Sequence, residues 1–206
     1  MLSRLHQLIT ARGEPAAHYD GLPYPFDHPF TWVDTGARSS PQEVRKGTSY
    51  SNPAEAQAVV RMLETLSDCE DFLRAATATL KDGEPLVGVI CMYAPQRDLI
   101  QDLIATSTIP PEVRTLIKVD TLDSYQGKEN RIVIVSLVRS NERKQIGFLT
   151  TENRINVAVS RAMDRLVLVG AAAMFRKSSS KLSDVFAHIE NAGRVLSGPA
   201  KVEAAQ

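Results

Sequence analysis

Val87-Gly88-Val89-Ile90-Cys91-Met92-Tyr93 carries no charge, and Ala94-Pro95 follows it directly. A β-branched apolar run of this length is a strand buried on both faces. Pro95 suits the first turn of a helix, because its missing N–H would find no partner there anyway. Leu99, Ile100, Leu103 and Ile104 then share one helical face, and Pro110-Pro111 stops the segment. The alternation repeats downstream. Residues 116–119 read as a short strand and 131–138 as a second strand buried on both sides. Residues 151–163 read as a helix with Ile155, Ala158, Val159 and Ala162 on its core side, and 166–170 as a further strand. A helix over 181–192 and a loose tail after 198 close the chain.

Upstream, Asn52-Pro53-Ala54-Glu55 holds the residues of a helix N-terminus: an Asn cap, Pro at the first position, and Glu three after the cap. Ala56, Val59, Val60 and Leu63 continue it as one stripe to about Leu66, and 71–80 extends or follows that helix. Residues 30–34 form a short strand and 36–51 a polar loop; 3–12 is a candidate helix and 18–29 a loop. Strands apolar on both faces need cover above and below. The expected fold is therefore α/β: a doubly wound, mostly parallel sheet with helices on both faces. The chain divides into an irregular segment 1–29, an α/β domain 30–176, and a C-terminal helix and tail 177–206. Ligands of such sheets sit outside the carboxyl ends of the strands, which points to the loops after Tyr93, Val119, Val138 and Gly170.

The 206 residues carry 24 bases and 24 acids and are 43% apolar, which suits one globular domain with extra segments. Cys69 and Cys91 have no accompanying Cys/His cluster; a zinc finger and a disulfide scaffold are excluded, and a reducing, cytoplasmic setting is expected. The longest apolar stretches, 86–94 and 166–175, are about half of the roughly 20 residues a bilayer span needs, so no membrane partner is expected. The N-terminus has no apolar signal region. His18, Asp20, Asp27 and His28 match no metal-ligand spacing and read as a polar loop, so no metal site is expected. Zero net charge hides an asymmetry: residues 128–165 hold eight bases against four acids. Either an anionic ligand or a solvated charged face accounts for it.

No GxxxxGK followed by Ser or Thr occurs, and no apolar strand ends in paired acids. The phosphate cradle and magnesium-binding acids of an ATPase are thus not among these residues. GxSxG and HExxH are absent as well. Thr121-Leu122-Asp123-Ser124-Tyr125-Gln126-Gly127-Lys128-Glu129 lies between two strands. Thr121 and Ser124 can donate to phosphate oxygens, Gly127 allows close backbone approach, and Glu129 can accept from a sugar hydroxyl. A plain polar turn has the same composition. Arg154 and Arg161, seven apart on the expected helix, would face one way roughly 10 Å apart, aimed at a phosphate. The alternative is two surface arginines paired with Glu152 or Asp164.

Residues 121–129, continued by Asn130-Arg131-Ile132-Val133-Ile134-Val135-Ser136-Leu137-Val138-Arg139-Ser140-Asn141, resemble motif V of superfamily 1B helicases, above all the nonsense-mediated-decay helicase group. Ile146-Gly147-Phe148-Leu149, running on through Arg154-Ile155-Asn156-Val157-Ala158-Val159-Ser160-Arg161-Ala162, resembles their motif VI. Residues 87–96 resemble the strand-to-helix segment that precedes both, with Tyr93 and Gln96 in its Tyr-x-x-Gln part and Cys91-Met92 where the family has Thr-Pro. Residues 50–58 resemble the family's helix start. The resemblance covers about 30–175 and corresponds to the second RecA-like motor domain.

The resemblance implies that Arg161 is the arginine finger reaching the γ-phosphate, and that Glu129, with Gly127 beside it, contacts the nucleotide. Arg154 supports the same site or the nucleic acid. Tyr93, Gln96, Thr121 and Ser124 are candidates for the nucleic-acid-binding face; Tyr93 either stacks on a base or packs in the core. Ser160 stands where many relatives have Thr, and Asn153 replaces one of a frequent Arg pair. The first motor domain and the Gln-Tyr-Arg-Met-like segment that opens this half do not occur, so the chain reads as beginning inside a longer helicase. The implied function is the C-terminal motor domain of an ATP-dependent helicase. It would use ATP with Mg held mainly by a first RecA-like domain in cis or trans, act on single-stranded DNA or RNA, and be inactive as an isolated chain. Alternatives are a non-catalytic nucleic-acid-binding fragment, a subunit completing an ATPase site in trans, and a domain for an unrelated small ligand.

Overall fold

The computed structural model describes residues 19, 21–36, 43–125, 128–176, 178, 180–192 and 194–197. In chain order the elements are β1 (Phe30–Asp34), β2 (Val44–Lys46), β3 (Ser49–Ser51), α1 (Pro53–Ser67), α2 (Glu70–Thr77), β4 (Val87–Cys91), α3 (Ala94–Thr106), α4 (Pro111–Arg114), β5 (Ile117–Thr121), β6 (Asn130–Ser136), α5 (Glu152–Val159), β7 (Ala162–Gly170), α6 (Ala172–Phe175), α7 (Lys181–Ala192) and β8 (Arg194–Ser197). Single 3₁₀ turns cover Asp123–Tyr125 and Gly147–Thr150. Six strands form one sheet in the order β5-β4-β6-β7-β1-β8, with every pair parallel. β2 and β3 form a separate antiparallel hairpin. This is the doubly wound α/β fold that the strand–helix alternation predicts, and it is consistent with the RecA-like fold that the resemblance implies.

The sheet is buried on both sides. Ile132 and Ile134 of β6 and Val167 and Val169 of β7 pack with α1, α2 and α3. Val133, Val135, Leu166 and Leu168 pack on the opposite face with α5, α6 and α7. All eight are 0–1% exposed. Trp32 anchors the second face; its Nε1 donates to the Gly170 carbonyl at 2.9 Å, and its ring meets Phe186 edge-on at 5.0 Å.

Several expectations change. The helix expected over 151–163 ends at Val159. Ser160 caps it through the Asn156 carbonyl, and Ala162 already pairs with Asn130 in the sheet. β7 is therefore nine residues long. The polar loop 36–51 contains the β2–β3 hairpin, whose three-residue strands are too short for an alternation signal. Residues 194–197 add a strand, β8, along β1. Pro111, read as a stop, opens α4. Tyr19, Leu22 and Phe26 are core residues although 18–29 reads as a loop. Asp27 faces Arg194 and His28, and no group of three or more His, Cys, Asp or Glu is placed for a metal among the described residues. His18, Asp20, the helix expected at 3–12 and the tail after 198 lie outside the described residues. No helix among those described is long and apolar enough to cross a membrane.

Two-sided burial makes the central strands intolerant of truncation. Ile134→Ala is expected to lower unfolding free energy by about 2–5 kcal/mol, whereas Val44→Ala, on the exposed hairpin, is expected to change it by less than about 0.5 kcal/mol. Urea denaturation followed by circular dichroism checks both.

Candidate functional site

After β4 the chain crosses to β5 at one edge, then returns to place β6 on the other side of β4. The winding direction therefore reverses between β4 and β6, and a crevice opens beyond their carboxyl ends. A buried polar hub fills its floor. Asn52 caps α1, accepting from Glu55 N at 3.2 Å. Its Nδ2 donates to the Val138 carbonyl at 3.0 Å and to Glu55 Oε1 at 3.2 Å. Glu55 Oε2 accepts from Ser136 Oγ at 2.7 Å and from Val138 N at 2.8 Å. Gln96 Nε2 donates to Ser136 Oγ and to the Asn52 carbonyl, and its Oε1 accepts from Asn52 N at 2.7 Å. Val138 sits at φ +70°, a conformation a β-branched residue rarely adopts; its N–H and carbonyl are both gripped by this hub. Burial pushes the Glu55 carboxyl up from 4.5 to about 8, against the pull of the Val138 N–H, the Ser136 hydroxyl and the Leu137 N–H.

A second cluster lies just above. Arg139 Nε and Nη2 clasp Glu43 at 2.9 and 3.3 Å, and Ser140 N and Asn141 Nδ2 donate to the same carboxylate. Burial works to raise the Glu43 carboxyl, but the donors from Arg139, Asn141 and Ser140 outweigh it and hold it below its ordinary value. The Arg139 guanidinium lies 4.4 Å over the Tyr50 ring and donates to Tyr93 Oη at 3.4 Å. Gly147, at φ +57°, lets the backbone approach so closely that a Cβ there would lie 2.3 Å from Arg139 Nη1.

The candidate residues fall into three places. Tyr93 is 5% exposed and Gln96 0%; neither offers its side chain to a strand from here, because Tyr93 packs between Tyr50 and Phe148 and every amide group of Gln96 is used inside the hub. Thr121 and Ser124 share a hydrogen bond at 3.2 Å near the carboxyl end of β5, on the surface. Arg154, at the start of α5, donates to both oxygens of Asp123 at 2.9 and 3.0 Å. Arg161 and Glu129 lie at the opposite end of the sheet. β6 and β7 are parallel, so α5 must carry the chain from the carboxyl end of one to the amino end of the other, over about 12 Å. The shared helical face expected for Arg154 and Arg161 is therefore not formed. Asp164 bonds to Arg131 and to Tyr19 rather than to either arginine. Gly127 lies outside the described residues.

Arg161 Nε donates to the Val157 carbonyl at 3.1 Å, Nη1 to the Lys128 carbonyl at 3.4 Å and Nη2 to Ser160 Oγ at 2.9 Å. Lys128 Nζ bonds the Ser124 carbonyl, and Lys118 lies 5.8 Å over the Tyr125 ring. The Lys128 ammonium, and then burial, depress the Lys118 ammonium below its usual range. Cations thus gather at this end. Sequence reasoning missed Glu43, Arg139, Phe148 and the hub role of Glu55; the Asn-x-x-Glu spacing at α1 was the signal for the last.

A profile of the AAA domain family matches residues 4–173. The chain belongs to this family. It is 30% identical over 176 residues to the DNA replication ATP-dependent helicase/nuclease DNA2 of Mus musculus, covering 85% of the chain and 15% of that protein. Over 165 residues it is 33% identical to the Regulator of nonsense transcripts 1 homolog of Arabidopsis thaliana, covering 76% and 12%. Over 116 residues it is 35% identical to the Helicase required for RNAi-mediated heterochromatin assembly 1 of Schizosaccharomyces pombe, covering 55% and 11%. Fold and relatives together make it a superfamily 1 helicase-like domain, and it spans only 11–15% of the length of these relatives.

The hub titrates. A carboxyl whose folded value is raised keeps its proton in the folded state between pH 4.5 and about 8, while the unfolded chain releases it. Stability from this group is therefore fully present below 4.5 and is lost as pH rises through 8. The urea midpoint of the native chain is expected to fall between pH 5 and 9, and Glu55→Gln, which stays neutral throughout, is expected to flatten that fall.

Proposed function

We propose that the chain is the C-terminal, second RecA-like motor domain of an ATP-dependent superfamily 1B helicase acting on single-stranded DNA or RNA. The observation that carries this reading is the setting of Arg161. Its guanidinium is half-buried and held in direction by three neutral acceptors, and no carboxylate lies within ion-pair distance among the described residues. A guanidinium oriented but left uncompensated suits a phosphate. At a transferring phosphoryl group one such arginine is worth about 10³ to 10⁵ in rate.

ATP would supply the phosphoryl transfer that drives the motor, and would be held mainly by a first motor domain with a P-loop, in cis or in trans. Of this chain's residues, Arg161 would meet the γ-phosphate oxygens and Glu129, beside Gly127, the sugar. Magnesium would be held mainly by that other domain. Thr121, Ser124 and Arg154 would face the nucleic acid at the carboxyl end of β5. The free thiols Cys69 and Cys91 suit a reducing cytoplasm. A second reading, a non-catalytic strand-binding module, is favoured by the lack of a P-loop sequence within the 206 residues.

The isolated chain is expected to hydrolyse no measurable ATP. Mixed with a P-loop-bearing first motor domain, it is expected to gain strand-stimulated hydrolysis that Arg161→Ala lowers by about 10³-fold or more. Hydrolysis by the pure chain, untouched by Arg161→Ala, would overturn the reading. A mixture that binds strands with steep salt dependence yet never hydrolyses ATP would favour the binding module.

A further inference from the structure

Phe148 and Val44 are the exposed large hydrophobic side chains among the described residues, and Phe148 is 58% open to solvent. It is carried by the 3₁₀ turn Gly147–Thr150, above the crevice between β4 and β6. Behind it two further rings follow in contact. Tyr93 lies 5.8 Å from Phe148 with planes tilted by 38°, and Tyr50 lies 5.7 Å from Tyr93, edge-on at 77°. Arg139 closes the row from beneath and is itself clasped by Glu43. Phe148 is thus the outer member of a rigid aromatic column, while Tyr93, the ring the sequence offers for stacking, is the inner one.

The surroundings of Phe148 are cationic and polar. The Arg154 guanidinium lies 5.1 Å from its ring centroid. Arg154 is tied to Asp123, an acid 67% exposed; ion pairs open to water are weak, so a phosphate can take the guanidinium over. In the segment that leads to Phe148 and just past it, Glu142, Arg143, Lys144, Gln145 and Thr150 are exposed. A protein partner's apolar patch would find a single ring in a polar field. An unpaired base followed by its phosphate finds an exposed ring and the guanidinium that lies over it, which a phosphate can draw aside.

We infer that Phe148 is a stacking platform for one unpaired base of a nucleic-acid strand, with Arg154 as the phosphate contact beside it. This rests on the strand-binding part of the function proposed above and names the residue that grips the base.

The test is fluorescence anisotropy of the 206-residue chain with labelled oligothymidylate, oligouridylate, and a strand of equal length with abasic positions. Phe148→Ala is expected to weaken binding to the base-bearing strands by about 5- to 100-fold, the loss of one base–aromatic stack, and to leave the abasic strand unaffected. Phe148→Leu, which keeps the apolar bulk but no ring, is expected to lose nearly as much. Phe148→Trp is expected to bind as well as the native chain, with its new indole emission quenched by the strand. Unaltered thermal midpoints show that these surface variants fold. Equal binding by native chain and Phe148→Ala, or an equal loss on the abasic strand, overturns the stacking role and leaves the helicase reading intact. Failure of the native chain to bind any strand overturns both.

Discussion

Four side chains on each face of β6 and β7 leave this chain little architectural choice. Each would give up roughly 1.5–3 kcal/mol if returned to water, so helices must lie above and below the sheet. Parallel strands then follow, because each connection has to recross the sheet to bring its helix onto a face. Polar groups are displaced to the two rims. At one rim stand the loops after β4, β5 and β6; at the other stand the entrances to β6 and β7. Among the described residues, each candidate functional residue belongs to one of these rims, and which rim depends on the direction in which its connection runs.

The reversal of winding between β4 and β6 leaves backbone groups at the carboxyl rim that no neighbouring strand can satisfy. The Asn52–Glu55–Gln96 hub satisfies them from α1 and α3. It holds Val138 in a left-handed conformation whose cost is of order 1–3 kcal/mol. That turn in turn aims Arg139 back at Glu43 and under Tyr50 and Tyr93. The buried Glu55 carboxyl at the base is therefore connected, through the Val138 backbone and the Arg139, Tyr50 and Tyr93 side chains, to the exposed ring of Phe148.

Charge is distributed unevenly between the rims. At the carboxyl rim Arg139 and Arg154 each face a carboxylate. At the amino rim Arg161 is steadied by carbonyls and a hydroxyl, with Lys118 and Lys128 near the same loop. The exposed Arg154–Asp123 pair suits exchange of a weak internal partner for a phosphate, whereas the buried Arg139–Glu43 pair is structural; the Arg161 setting suits an anion from outside. On the function proposed above, the strand would lie at one rim and the nucleotide at the other, with α5 linking the two.

The strands were legible in the sequence wherever burial on both faces wrote a near-continuous apolar run, as in 87–93 and 131–138, and α1 was legible from Asn52, Pro53 and Glu55, because capping is a local interaction. The Arg154 and Arg161 residues were also legible as candidates, through the motif that carries them. Where those arginines point was not, because the end of α5 at Val159 is decided by the pairing of Ala162 with Asn130, a contact across the sheet. The same holds for Tyr93, whose burial depends on Tyr50 and Phe148 arriving from either side of it in sequence, and for β8, which pairs with a strand more than 150 residues earlier. Local chemistry determined which residues could act; long-range pairing alone decided which of them reach the surface, and at which end of the sheet.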